Sequence, residues 1–531
     1  MKRPTLARGT MATLCTTAIL ASVRPAAAGY WLKTSPAGAV FGGQIRVAAS
    51  NPNTLYASGA MGSAIAVFKS TDAGANWTVA LTSDAAGALA VDPTNPAIVF
   101  TGGLGGMSKT SDGGQTWNLA NNGFTGSFIV VNSVAIDPAN PSTVYAGVSS
   151  TTAAGLYKTT DGGAHWVTVA GGFPSFTPAY LAVAPSDPST LYAGINGLGV
   201  YKSTNSGTSW VPITILSTGD FTPLALAIDP TTPTTVYAGR FVGDDTVLFK
   251  TTDGGGSWAP LNFDPHVGIF EVAISGSDPA ILYLAASYNA GAYKSTNAGV
   301  DWVAENSGLA SVDSAFPLPF VGVVSVAIDP VHPGAVYAGA YGFNGDGGAY
   351  VLLPLCNELP QAGCKLPTAT KKATIQLTDK SSDKADLLSW TWTKGAATTK
   401  AEFGDPTTTT DYNVCVYDNR TGTPGIILGA RVLSGRTCGT KPCWKATKTG
   451  FKYTDSKSTV DGVNGLVLTE GAAGKAKITL KAKGASVFMP TLPLTTAVTV
   501  QLVNSEGTCW EATYSANVTK NDAGQFKAKS D

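Results

Sequence analysis

One eight-residue phrase, written six times between residues 70 and 302, constrains this chain more than anything else in it. A small hydroxyl residue opens the phrase, Asp or Asn follows two places on, Gly two places after that, and Trp closes it. The copies span 70–77, 110–117, 159–166, 203–210, 251–258 and 295–302. Their acidic or amide residues are Asp72, Asp112, Asp161, Asn205, Asp253 and Asn297, and their tryptophans are Trp77, Trp117, Trp166, Trp210, Trp258 and Trp302. The intervals of 40, 49, 44, 48 and 44 residues match the period of a propeller blade, so these residues should form stacked copies of one supersecondary unit.

Each phrase has an upstream companion resembling Val-x-Ala-Ile-Asp-Pro-x-x-Pro-x-x-Val-Tyr-Ala-Gly. Seven such segments centre on residues 51, 92, 137, 187, 229, 278 and 329. Their flanks alternate apolar and small residues rich in Val, Ile and Tyr, as strands do. Proline at the centre fixes φ and donates nothing to a ladder, so the centre reads as a turn. One unit is then a four-stranded antiparallel sheet. The phrase itself reads as a hairpin turn. Its Asp or Asn accepts backbone N–H groups, its Gly supplies positive φ, and its Trp buries a large apolar surface between neighbouring hairpins. These residues are expected to maintain the fold rather than touch a ligand.

Ser/Thr-x-Asp-x-Gly-x-x-Trp resembles the Asp-box, or bacterial neuraminidase repeat. That family includes sialidase-like, xyloglucanase-like, sortilin-like and photosystem II assembly factor-like proteins, all β-propellers. The resemblance covers residues 29–353. It implies an all-β fold with a seven-bladed propeller at residues 29–355, but no single chemistry, because such relatives share architecture and not activity. The seventh companion, 326–339, is followed by a strand-like run at 348–353 but by no Asp-box. The segment 30–33 resembles the strand after each box Trp. It is expected to complete the last blade and so hide the sheet edges.

Residues 1–28 read as a secretory signal, with Lys2, Arg3 and Arg8, an apolar run at 11–23 and a small-residue site at 26–28. No later apolar run is long enough to span a membrane. The expected protein is exported to a periplasmic, extracellular or cell-surface location. It is also expected to be soluble and monomeric. The propeller holds no cysteine. Cys356, Cys364, Cys415, Cys438, Cys443 and Cys509 follow it, and an even number in an exported region suggests disulfides. Close spacing favours 356–364 and 438–443, leaving 415–509. The absence of a Cys-x-x-Cys pair speaks against a metal, and no cofactor is expected.

Charge is divided unevenly. Residues 29–353 carry nine Lys and Arg against 20 Asp and Glu, a net of −11, whereas residues 354–531 carry 22 against 15, a net of +7. The propeller therefore offers no basic surface for nucleic acid. Six of its nine basic residues stand three places before each box Asp or Asn, which marks a strand position. After a linker at 356–373, residues 374–531 hold strand-like runs separated by turn residues, as in a small disulfide-bearing β-sandwich able to fold alone.

Catalytic grammar is sparse. The resemblance would require three clustered arginines for a sialidase, and residues 29–353 contain only Arg46 and Arg240. The arginine-rich patch of the photosystem assembly factors is missing too. A neutral-polysaccharide hydrolase needs two carboxylates about 5–10 Å apart, for which Asp220, Asp244, Asp245, Asp264, Asp313 and Asp346 on the face opposite the boxes are the candidates. That loop face is also rich in aromatics: Phe124, Phe128, Phe173, Phe176, Phe221, Phe263, Phe316, Phe320, Tyr288, Tyr341 and Phe343. The leading expectation is a non-catalytic binding or scaffold module taking a glycan or protein on this face through Arg240, Asp244, Asp245, Tyr288, Tyr341 and Asn344. The alternative is a glycoside hydrolase of the Asp-box type.

Overall fold

The computed structural model describes residues 30–36, 38–83, 87–213, 223–242, 245–263, 268–286, 291–306, 309, 321–331, 335–342, 347–353, 356, 359–380, 385–419, 424–438, 441–456, 462–484, 487, 489–490 and 492–531. The signal-like residues 1–28 lie outside them. Among the described residues there is no α-helix; a 3-10 turn spans Ala401–Phe403.

The described residues between 30 and 353 form seven antiparallel sheets. Six have four strands, and the first has five because Ala39–Val40 and Ile45–Val47 both pair with Leu55–Met61. In each sheet the innermost strand leads into the proline turn, the second runs back and the third returns; in the first six the box then turns the chain into a short outer strand. The innermost strands are Ile45–Val47, Ala88–Val91, Val130–Ile136, Pro178–Val183, Pro223–Ile228, Ile269–Ile274 and Val321–Ile328. Each touches the next, and the last touches the first. The seventh sheet takes its outer strand from the other end of the chain. Tyr30–Lys33 pairs with Gly348–Leu353 in the register Trp31 to Leu352. Trp31 is fully buried, and its indole N–H donates to Glu305 O at 2.6 Å.

The boxes form closed hydrogen-bond knots. In the second sheet Thr110 Oγ1 donates to Asp112 Oδ1 at 2.8 Å, and the same carboxylate accepts Gln115 N and Thr116 N, each at 2.9 Å. Asn205 does the same work with its amide oxygen, accepting Ser209 N at 2.8 Å. The proline turns are less uniform than the sequence suggests. Asp92, Asp137, Asp229 and Asp329 end an inner strand, but in the fourth and sixth sheets that position belongs to Ala184 and Ser275, with Asp187 and Asp278 three places further on.

The repeat lysines link neighbouring sheets. Lys69 lies over its cross-strand partner Tyr56 and donates to Gly113 O of the next box at 2.7 Å. Lys109, Lys158, Lys202 and Lys250 repeat the contact at 2.8–3.1 Å. Lys294 lies over Tyr283, but the seventh sheet offers it no box, and it faces Glu305 instead at 3.9 Å. The seventh sheet has the ring, Tyr337, but its cross-strand partner is Val351, not lysine. Arg431, from the C-terminal region, supplies the cation. Its guanidinium lies 5.6 Å from the Tyr337 centroid, and Nη2 donates to Ala73 O of the first box at 3.0 Å.

The C-terminal region is built on two antiparallel sheets face to face, one of eight strands and one of four, with a small two-stranded ribbon of Thr437–Cys438 and Lys441–Pro442 beside them. Between them lies a core that includes Trp390, Trp392, Trp510, Tyr412 and Phe526. The disulfides are Cys356–Cys415, Cys364–Cys509 and Cys438–Cys443. The 438–443 pair agrees with the close-spacing expectation. The 356–364 and 415–509 pairs do not form, because the segment joining the two regions lies against the small sheet. Lys365 N donates to Cys509 O and Lys365 O accepts Glu511 N, each at 2.9 Å, which places Cys364 beside Cys509. A second buried cluster crosses the expected boundary near residue 355. It joins Phe41, Phe68, Trp77, Tyr337 and Leu353 to Cys415, Tyr417, Leu433 and Cys509. Gly429 serves that junction, since a Cβ there would overlap Leu353 Cδ1.

Candidate functional site

Alternating strand direction puts all proline turns and boxes at one end of the seven sheets. The described hairpins between second and third strands, and the described connections from one sheet to the next, lie at the other. The second end is the loop face. Of the site residues expected from sequence, Tyr341 is described; it is 43% exposed and lines a depression of about 280 Å³ with Val40, Gly42, Gly59 and Ile65. Arg240 lies on strand Val236–Val242 and Asp245 opens Asp245–Thr251, with Val242 opposite Asp245; their side chains lie outside the described residues. Asp244, Tyr288 and Asn344 lie wholly outside them, as do Asp220, Asp264, Asp313 and Asp346, and Phe221, Phe316, Phe320 and Phe343.

The described aromatics of this face divide into two groups. Phe124, Phe173 and Phe263 seal the sheets, each in contact with a box tryptophan (Trp166, Trp210 and Trp302) and a strand tyrosine. Phe128 and Phe176 instead stand in solvent, 85% and 52% exposed. Phe128 is held there by its backbone. Its φ of +53° lies in the left-handed region, which a bulky side chain rarely adopts. The neighbouring Ser127 and Thr151 bond reciprocally, with Thr151 N donating to Ser127 O at 2.9 Å and Ser127 N to Thr151 Oγ1 at 3.2 Å. Two residues on, Val130 bridges Leu104, which is itself exposed. Ile65 and Leu104 line a shallow cavity of about 690 Å³, and Leu198 and Phe270 add further exposed apolar side chains to this rim.

Inside the rim the inner strands enclose a further cavity of about 260 Å³. Arg46 Nη1 donates to Glu271 Oε1 at 2.8 Å. Glu271 Oε2 accepts Ser325 Oγ and Val326 N, while Ser325 Oγ accepts Ile45 N at 2.9 Å. Nearby, burial, aided by the Glu271 charge, pushes the Tyr180 hydroxyl up to about 12, so Tyr180 is a neutral donor at ordinary pH.

The Arg46–Glu271 pair was not anticipated from sequence, although a signal was present. Two places before the residue that ends each inner strand, six sheets carry alanine: Ala90, Ala135, Ala182, Ala227, Ala273 and Ala327. The first carries Arg46. Four places before it stand small or neutral residues except Glu271. Among the described residues no three His, Cys, Asp or Glu side chains converge as for a metal ion.

No protein-family model and no curated protein matches the sequence. Several solved structures are similar in shape. YCF48 from Cyanidioschyzon merolae shares 14% identity over 61% of this chain and 98% of its own, with a TM-score of 0.44. YCF48 bound to D1 peptide shares 15% over 61% and 96%, with a TM-score of 0.43. The GH74 enzyme of Niastella koreensis shares 16% over 95% and 99%, with a TM-score of 0.37. No residue role follows from likenesses at this level.

Proposed function

We propose that this chain is an exported, non-catalytic binding protein: a seven-bladed Asp-box propeller closed by its N-terminal strand, with a disulfide-bearing sandwich at residues 374–531. Its loop face would take a protein segment. The observation that carries this reading is Phe128, presented to solvent on a left-handed backbone beside exposed Leu104. Backbone strain persists only where its surroundings over-determine it, and it concentrates at functional positions. The rim mixes aromatic and aliphatic side chains. Aliphatic side chains suit apolar peptide residues, whereas sugar recognition would favour aromatic faces with polar partners, so a glycan ranks second. The hydrolase alternative needs a carboxylate with a free oxygen, and Glu271 has both oxygens engaged. Three disulfides fit an oxidising extracellular or periplasmic environment. No helix among the described residues is long and apolar enough to cross a membrane.

Peptide and glycan arrays probed with residues 29–531 test the proposal. Phe128→Ser and Leu104→Ser should each abolish capture of apolar peptides without lowering the unfolding midpoint. Capture that survives both substitutions, or turnover of β-glucans, would overturn it.

A further inference from the structure

We infer that the outer face of the eight-stranded sheet is a docking surface for a linear anionic glycan. The inference is independent of the loop-face reading. One face of this sheet packs on the core. The other follows the alternation of its strands, seen most clearly in Ala476–Lys483, where Ile478, Leu480 and Ala482 are buried while Lys477, Lys481 and Lys483 are exposed.

Register aligns these cations into rows across the strands. One row runs Lys445, Lys452, Val467, Thr479, Thr391, Thr374 and Lys529. The next runs Lys481, Ser389, Gln376, Lys527 and Lys520. Adjacent strands stand about 4.8 Å apart, so Lys481 and Lys527, three strands apart, are separated by about 14 Å. Hydroxyl and amide side chains fill the space between them. Asp522 is the only carboxylate in all eight strands, and it faces Lys520 at 3.3 Å. Cations with so little internal compensation repel one another, and a partner bearing regularly spaced negative charge would relieve that repulsion.

The chemistry of the face chooses among polyanions. Among the described residues it presents no exposed aromatic ring on which a base could stack, which disfavours single-stranded nucleic acid. It also lacks the protruding large apolar residues with which proteins enter lipid interfaces. Rows of Thr, Ser and Gln between the lysines match the hydroxyls of a sugar chain whose carboxylates or sulfates meet the ammonium groups.

The test uses residues 29–531 with the disulfides intact. Polygalacturonate and chondroitin sulfate are titrated at about 50 and 200 mM salt, with dextran and a DNA oligomer as comparisons. Both anionic glycans should bind, dextran should not, and binding should weaken steeply with salt. Replacing Lys445, Lys452, Lys481 and Lys527 together by Gln should weaken binding by about tenfold or more without moving the unfolding midpoint. Phe128→Ser, on the loop face, should leave it unchanged. Absence of glycan binding at low salt overturns the proposal, as does equal binding by the four-lysine variant or tighter binding of DNA. So does a low-salt dimer that the lysine replacements dissolve, which would place the acidic propeller of a second copy on this face.

Discussion

Replacing Arg431 by alanine should weaken the whole molecule, although Arg431 is far in sequence from the ring it serves. The side chain is 1% exposed. Its bond to Ala73 O is charge-assisted, a class that contributes about 1.5–3 kcal/mol. Its position over Tyr337 adds up to about 2 kcal/mol where the ring is desolvated. Burying the guanidinium offsets part of both, so Arg431→Ala should cost about 2–4 kcal/mol. The structure also supplies a rescue. Val351 occupies the cross-strand position from which five lysines reach the box of the next sheet, so Val351→Lys should recover part of the loss in the Arg431→Ala background. In the parent, where Arg431 already fills the site, Val351→Lys should destabilise. Equilibrium denaturant unfolding of the four proteins of this cycle measures the coupling directly. An Arg431→Ala cost below about 0.5 kcal/mol, or a Val351→Lys effect equal in both backgrounds, would refute the claim that the arginine stands in for a seventh lysine.

Two tryptophans isolate the value of one indole bond. Trp117 and Trp258 are both half-buried, but Trp117 Nε1 donates to Ala80 O at 3.1 Å while the buried Trp258 Nε1 has no partner. In denaturant melts Trp117→Phe should therefore cost about 1–3 kcal/mol more than Trp258→Phe; equal costs would show the bond to be worthless. Paired Cys→Ser replacements should destabilise in the order of the loops they close. Cys364–Cys509, with a separation of 145 residues, should matter most, then Cys356–Cys415 at 59, then Cys438–Cys443 at 5; loop entropy gives about 5, 4 and 2 kcal/mol. Because one apolar cluster crosses the junction near residue 355, reductant should lower a single calorimetric transition, and two transitions with only one of them shifted would speak for independent units. The Asp112 and Asp253 carboxyls are held well below the ordinary range, first by the hydroxyls of Thr116 and Ser257 and then by the N–H groups of the same residues. Groups depressed in the folded state stabilise it above the unfolded pKa, near 4, and lose that contribution as pH falls toward the folded value. Replacing both by Asn, which Asn205 and Asn297 show the turn accepts, should flatten the stability profile below about pH 4.

The repeating part of the fold was legible because its signals are local. Period-two alternation, proline turns and the six boxes each depend on residues within a few places of one another, and even the joining of residues 30–33 to 348–353 followed from a missing box and a spare strand. What stayed hidden depends on which distant residues meet. Nothing in the local text around Arg431 announces a partner 358 residues earlier. Spacing misleads on the cysteine pairing because it treats the segment as free, whereas Lys365 pairs with the strand that carries Cys509 and so sets Cys364 beside it. Arg46 and Glu271 sat in plain view as exceptions to an alanine and small-residue pattern, but only the register shows that both point into one channel.

The pairing of residues 30–33 with 348–353 also fixes an order of events during synthesis. The partner strand leaves the ribosome roughly 15–60 s after the first, at ordinary rates of about 5–20 residues per second. Through that interval Trp31 and its neighbours form an edge without a ladder, the kind of segment that seeks strands on other chains. Completion of the seventh sheet thus waits for a contact of very high sequence separation. A nascent chain of this design would gain most from a holdase acting on its first few residues, and a second copy able to lend residues 348–353 could take the waiting strand by exchange.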